Sequence, residues 1–132
     1  MDAAQALADL TEISTQIEAA VVVDARGKVA ASTLDDERSQ RVAAAARQLL
    51  DAADQLGSDN GAIAQIDAAT PEGSVFVVRH GEYLIAATTG PEPTVGLVFY
   101  DLKSCLRGLA EEPEAKPKPR RRTAKKKDDE KP

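Results

Sequence analysis

The sequence predicts an α/β (α+β) domain in which an antiparallel sheet carries helices on both faces. Three observations lead there. The runs Ala20–Val23, Val75–Val78 and Tyr83–Ala87 are apolar at every position rather than at alternate ones, the pattern of strands covered above and below. Short turn signals separate the strands, so neighbouring strands are antiparallel hairpins, and three stretches with apolar residues at spacings of three and four supply the covering helices. The element order is α-β-β-α-β-β-β-α.

The first helix is expected over Asp2–Ile17, with Ala6, Leu7, Leu10, Ile13 and Ile17 on one stripe. A hairpin over Ala20–Ser32 (AVVVDARGKVAAS) follows and turns at Asp24-Ala25-Arg26-Gly27. Gly27 supplies the positive φ of a short bulged loop, and Asp24 is placed to hydrogen-bond the turn backbone. Ser32, Thr33 or Asp35 can cap the second helix, and Asp35-Asp36-Glu37 puts acids at its positive end.

That second helix runs from about Asp35 to Leu56, with Val42, Ala46, Leu49, Leu50, Ala53 and Leu56 as its apolar stripe. Leu49 and Leu50 point to different surfaces, and the sequence leaves open which one faces a partner. Alanines at 43–46, 52 and 53 make it slim and strongly helix-forming, a shape that permits close approach by another helix. Gly57-Ser58-Asp59-Asn60-Gly61 ends it.

A weak third strand is expected over Ala62–Asp67, then a turn over Ala68–Glu72 containing Pro71. Ser74–Arg79 and Tyr83–Thr89 form a hairpin through His80-Gly81. A third helix begins near Pro93 or Thr94 and reaches about Ala110, with Val95, Val98, Leu102, Cys105, Leu106 and Leu109 on its stripe.

Composition divides the chain. Residues 1–110 form one domain and carry eight Lys/Arg against sixteen Asp/Glu, a net of −8. Residues 111–132 carry nine Lys/Arg against six Asp/Glu, a net of +3, and have the prolines and low hydrophobicity of a disordered tail. Lys116, Lys118, Arg120, Arg121, Arg122, Lys125, Lys126 and Lys127 make a basic run with no acid among them. This run is either the candidate polyanion-binding element or a solubilising tail that contacts nothing in particular; with no aromatics it cannot stack bases. No signal peptide or membrane span is read from the sequence, so a cytoplasmic protein is expected.

No catalytic constellation emerges. His80, the only histidine, falls in a turn and reads as a solvated residue. Cys105 lies on an apolar stripe and reads as core filler. Asp35-Asp36-Glu37 is explained as a helix start rather than a metal site, and Arg38 and Arg41 as a solvated face rather than a catalytic finger offered in trans. Gly27-Lys28 lies in a hairpin and not before a helix, so no phosphate-binding loop is present. No cofactor and no metal are expected.

The landmarks together resemble the Roadblock/LC7 family over residues 2–110. They are the leader Leu7–Ile17, the hairpin VVVDARGKVAAS, the alanine-rich helix, the pair SVFVVRHGEYLIAATT and the closing helix from Thr94-Val95-Gly96-Leu97-Val98 to Leu102-Lys103. The resemblance implies a five-stranded antiparallel sheet with one helix on one face and two on the other. It also implies a homodimer in which second helices pair and third strands join edge to edge. Val42, Ala46, Leu49, Leu50 and Ala53 on the helix, with Ile63 and Gln65 on the strand, are then the candidate interface. Prokaryotic members typically serve as adaptors and regulators of small Ras-like GTPases, and eukaryotic members as dynein light chains and scaffold subunits. The tail lies outside the resemblance.

A noncatalytic homodimeric adaptor or regulator of a small Ras-like GTPase is therefore the expected function. Two other classes compete with it. One is a small-molecule-sensing domain of PAS or profilin-like design, which would need a pocket with convergent polar or aromatic groups. The other is a nucleic-acid-associated protein acting through its basic tail, against which the acidic body argues.

Overall fold

A computed structural model describes residues 2–56 and 63–110. The elements are α1 (Ala3–Ile13), β1 (Ile17–Val23), β2 (Val29–Ser32), α2 (Asp36–Leu56), β3 (Gln65–Thr70), β4 (Gly73–His80), β5 (Tyr83–Thr89) and α3 (Val95–Ala110). This is the order predicted from the sequence. The strands form one antiparallel sheet in the order β2-β1-β5-β4-β3. The predicted turn at Gly57–Gly61, the residue Ala62 and the tail 111–132 lie outside the described residues.

The β1–β2 turn is built as its residues dictate. Asp24 Oδ1 accepts hydrogen bonds from the backbone N–H of Arg26 at 2.9 Å and of Lys28 at 3.0 Å. Gly27 takes the left-handed conformation with φ of 83°, and the register slips between Val22 and Val23 as a bulge. The hydrogen bond from Lys28, foremost, holds the Asp24 carboxyl below the ordinary value of 3.8.

Alternation along the strands splits the core in two. Ala20, Val22, Phe76, Val78, Ile85 and Ala87 face α1 and α3, meeting Leu7, Leu10, Val98, Leu102 and Leu106. Phe76 and Phe99 pack edge to face with ring centroids 5.0 Å apart, the arrangement that aromatic quadrupoles favour. Val21, Val23, Val77, Leu84 and Ala86 point the other way, toward Ala43, Ala46 and Leu50 of α2.

Three predicted boundaries shift. The first helix stops at Ile13, where the N–H of Ser14 caps it on the Leu10 carbonyl at 2.8 Å. Ile17 starts β1 instead of closing a helical stripe, because the chain needs Ser14–Gln16 to cross from the helix layer into the sheet. The third strand covers Gln65–Thr70 rather than Ala62–Asp67, so Ala68–Thr70 pair with β4 and the turn shrinks to Pro71-Glu72. The β4–β5 turn is Gly81-Glu82, and His80 is the last residue of β4, opposite Tyr83.

Candidate interaction surface

Helix α2 is fixed to the body at both ends. Asp35 caps its start: Oδ1 accepts from the N–H of Arg38 at 2.8 Å, a cap that satisfies one of the free donors of the first turn. The same N–H, foremost, and then the Arg38 side chain hold the Asp35 carboxyl below its ordinary 3.8. One turn further, buried Ser39 donates its hydroxyl to Ser32 Oγ at 2.6 Å, tying the helix to the end of β2.

At the other end Asp54 accepts from the N–H of Ile63 at 2.8 Å and from the Arg79 guanidinium at 2.9 Å. Arg79 also donates to the Ile63 carbonyl. This half-buried lock joins α2, the approach to β3, and β4. The Arg79 guanidinium, first, and the Ile63 N–H, second, hold the Asp54 carboxyl below 3.8. Nothing in the sequence singles out Asp54 or Arg79, since their 25-residue separation leaves no local pattern.

Pinned in this way, α2 presents a definite outer row. Ala46 and Leu50, expected at an interface, are instead taken up by the chain's own core, Leu50 being fully buried. Val42 and Ala53 are half-buried at the flank. Leu49 is 39% exposed and Leu56 89% exposed. Val42, Ala45, Leu49, Ala52 and Leu56 follow one another at spacings of three and four along one flank of α2, the seam spacing of paired helices. With alanine on every face, two neighbouring rows read alike in the sequence, which is why the predicted stripe merges buried and outward residues.

Beside this row lies a bare sheet edge. β3 pairs only with β4 among the described residues, and all of it but Ile66 is exposed. Gln65 is exposed on that edge strand, and Ile63 is half-buried against the α2 side of the core. α2 covers mainly β1, β2 and β5, so Val75 on β4 stays 39% exposed.

The other residues weighed for chemistry lie apart. His80 is exposed at the end of β4. Cys105 is buried in the α1–α3 core, and burial, with a smaller contribution from Asp9, pushes its thiol up to about 11, so it stays protonated at neutral pH. Arg38 and Arg41 pair with Asp35 at 3.0 Å and Glu37 at 3.3 Å on an exposed helix face. Among the described residues, no three His, Cys, Asp or Glu side chains gather to hold a metal, and no helix is long and apolar enough to cross a membrane. Lys116, Lys118, Arg120, Arg121, Arg122, Lys125, Lys126 and Lys127 lie outside the described residues.

The described residues thus form a helix-covered antiparallel sheet that ends in the edge strand β3, with a partly exposed apolar row on α2. The sequence matches the Roadblock/LC7 domain over residues 4–89, and the chain belongs to that family. Solved structures share the fold. A Roadblock/LC7 domain from Streptomyces avermitilis superposes with a TM-score of 0.75 at 19% identity, covering 83% of this chain and 96% of that one. The gliding protein MglB of Thermus thermophilus gives 0.61 at 18% identity, covering 82% and 85%. MglB of Myxococcus xanthus gives 0.64 at 13% identity, covering 83% and 82%. No curated protein matches.

Proposed function

We propose that this protein is a noncatalytic homodimeric adaptor or regulator of a small Ras-like GTPase, working in the cytoplasm. Family membership supports a GTPase-related adaptor role in general. The single observation that supports the dimer is the flank row Val42–Leu56 of α2 together with the edge of β3 that is unpaired among the described residues. Two copies related by a twofold axis bury both features at once, since such an interface is self-complementary. Leu49 then meets its counterpart across the helix pair, and Gln65 and its neighbours extend the sheet from one subunit to the next.

A continuous sheet carrying two paired helices is a rigid platform. The switch segments of a GTPase change order when the γ-phosphate is lost, and a rigid surface favours one state by its differential contacts. The reading assigns this chain no nucleotide chemistry of its own. If the basic run Lys116–Lys127 contacts a polyanion, that binding weakens steeply between low and physiological salt.

Affinity capture with the intact chain, repeated with GTP-analogue and GDP loading, tests the reading. The expected result is recovery of a small GTPase with a preference for one nucleotide state. Recovery of none in either state, or saturable GTP binding by the purified protein alone, contradicts it.

A further inference from the structure

The exposed large apolar side chains fall on two separate surfaces. Leu49, Leu56 and Val75 lie on the α2 side, while Ile13, Val95, Leu97 and Tyr100 lie on α1 and α3. Between α1 and α3 runs an open groove of about 350 Å³, walled by Ala6, Leu10 and Ile13 on one side and Tyr100, Ser104 and Gly108 on the other. Ile13 is 71% exposed and Tyr100 62% exposed at its lips.

Two features of the groove have no explanation within the described chain. Asp101 lines it with only 9% of its surface exposed, and its carboxylate pairs with no cation among the described residues. Its carboxylate oxygens are not fully shut off from solvent, so the charge is open to a cation entering the groove. Gly108 sits inside α3, where glycine weakens a helix, and a Cβ added there would meet nothing within 4 Å. No packing against the described chain calls for a glycine at this position.

We propose that this groove docks a partner's amphipathic helix bearing Lys or Arg beside its apolar ridge. The ridge covers Ile13, Leu10 and Tyr100, the partner's backbone passes close over Gly108 and Ser104, and a cation reaches Asp101. The α1 wall has the same charge preference, for Asp2, Asp9 and Glu12 are its only charged residues and the first basic residue of the chain is Arg26. α1 has 11 residues and spans about 16 Å at 1.5 Å per residue, so the docked segment is about three turns long. A second copy of the same face would set the α1 acids against one another. The chain's own tail has no apolar side chain larger than alanine or proline to offer the groove.

A panel of fluorescently labelled 14-residue helical peptides tests this, with Leu at i, i+3, i+4 and i+7 flanked either by Lys or by Glu. The full chain binds Lys-flanked members saturably and the Glu-flanked ones at least tenfold more weakly. Gly108→Leu loses tenfold or more in affinity while circular dichroism stays unchanged and the thermal midpoint does not fall. Asp101→Asn narrows the preference for Lys over Glu, and Leu49→Glu leaves binding intact. The proposal is overturned if no member of the panel binds, if both charge series bind equally, or if Gly108→Leu binds normally. It is also overturned if Tyr100→Glu lowers the mass of the unliganded protein, which would make a second copy the occupant.

Discussion

The two faces of the sheet are covered unequally. Two helices, α1 and α3, close one face over Phe76 and Ile85 and complete a core with an aromatic pair at its centre. One slim helix, α2, covers the other face mainly over β1, β2 and β5, leaving most of β3 exposed and Val75 partly open. The face with two helices carries most of the fold's burial. The face with one helix stays incomplete in a single copy and keeps its spare apolar surface on the helix and the edge strand. On the pairing proposed above, self-association uses the one-helix face, opposite the larger core.

Substitutions in the two cores probe this division directly. Phe76→Ala removes a fully buried ring from the two-helix side and should cost about 3–5 kcal/mol, measured by urea unfolding. Leu50→Ala does the same on the α2 side and should cost about 2–5 kcal/mol. The two losses should add, because the sheet backbone separates the sites. A strongly non-additive double variant would mean that the faces are not independent.

Gly108→Ala is a smaller effect in the opposite direction. It should stabilise the isolated protein by about 0.5–1 kcal/mol, since the helix gains propensity and the new methyl meets nothing. A loss of stability would place a packing partner over Gly108 within the chain itself.

The Asp54–Arg79 lock gives the α2 side a pH dependence. The folded-state pKa of Asp54 lies below its ordinary 3.8, so the unfolded chain takes up the proton first. The stabilisation is present above 3.8 and is lost as pH falls through the lower folded value. Asp54→Asn should therefore flatten the acid limb of a stability-against-pH curve and leave its neutral limb parallel to that of the unaltered protein. An unchanged acid limb would remove the lock from the account of how α2 is held.

The difference between the faces is only partly legible in the sequence. Runs apolar at every position, such as Val75–Val78, announce a sheet covered twice, and Asp24 with Gly27 specifies the β1–β2 turn, because both signals are local. The end of the first helix is misplaced because Ile17 has helical spacing from Ile13, yet the sheet claims it. β3 slides by three residues because an edge strand whose one large apolar residue is Ile66, among Gln, Asp, Ala and Thr, has no alternation to read. The two rows of α2 separate only when Ser39, Ala43, Ala46 and Leu50 are seen against the sheet. Asp54 with Arg79 depends on distant chain segments meeting, and no spacing encodes that; Asp101 and Gly108 share one face of α3, but only the packing of α1 beside them makes the groove.

Light scattering of the full chain and of Leu49→Glu bears most directly on the claim that the one-helix face is a pairing surface. Leu49 is turned away from the body's own core, so the charge should leave the folded subunit intact and act on association alone. The expected result is a dimeric mass for the unaltered protein at micromolar concentration and a monomeric mass for Leu49→Glu, with identical circular dichroism. A monomer before any substitution, or a dimer undisturbed by the charge, would contradict it.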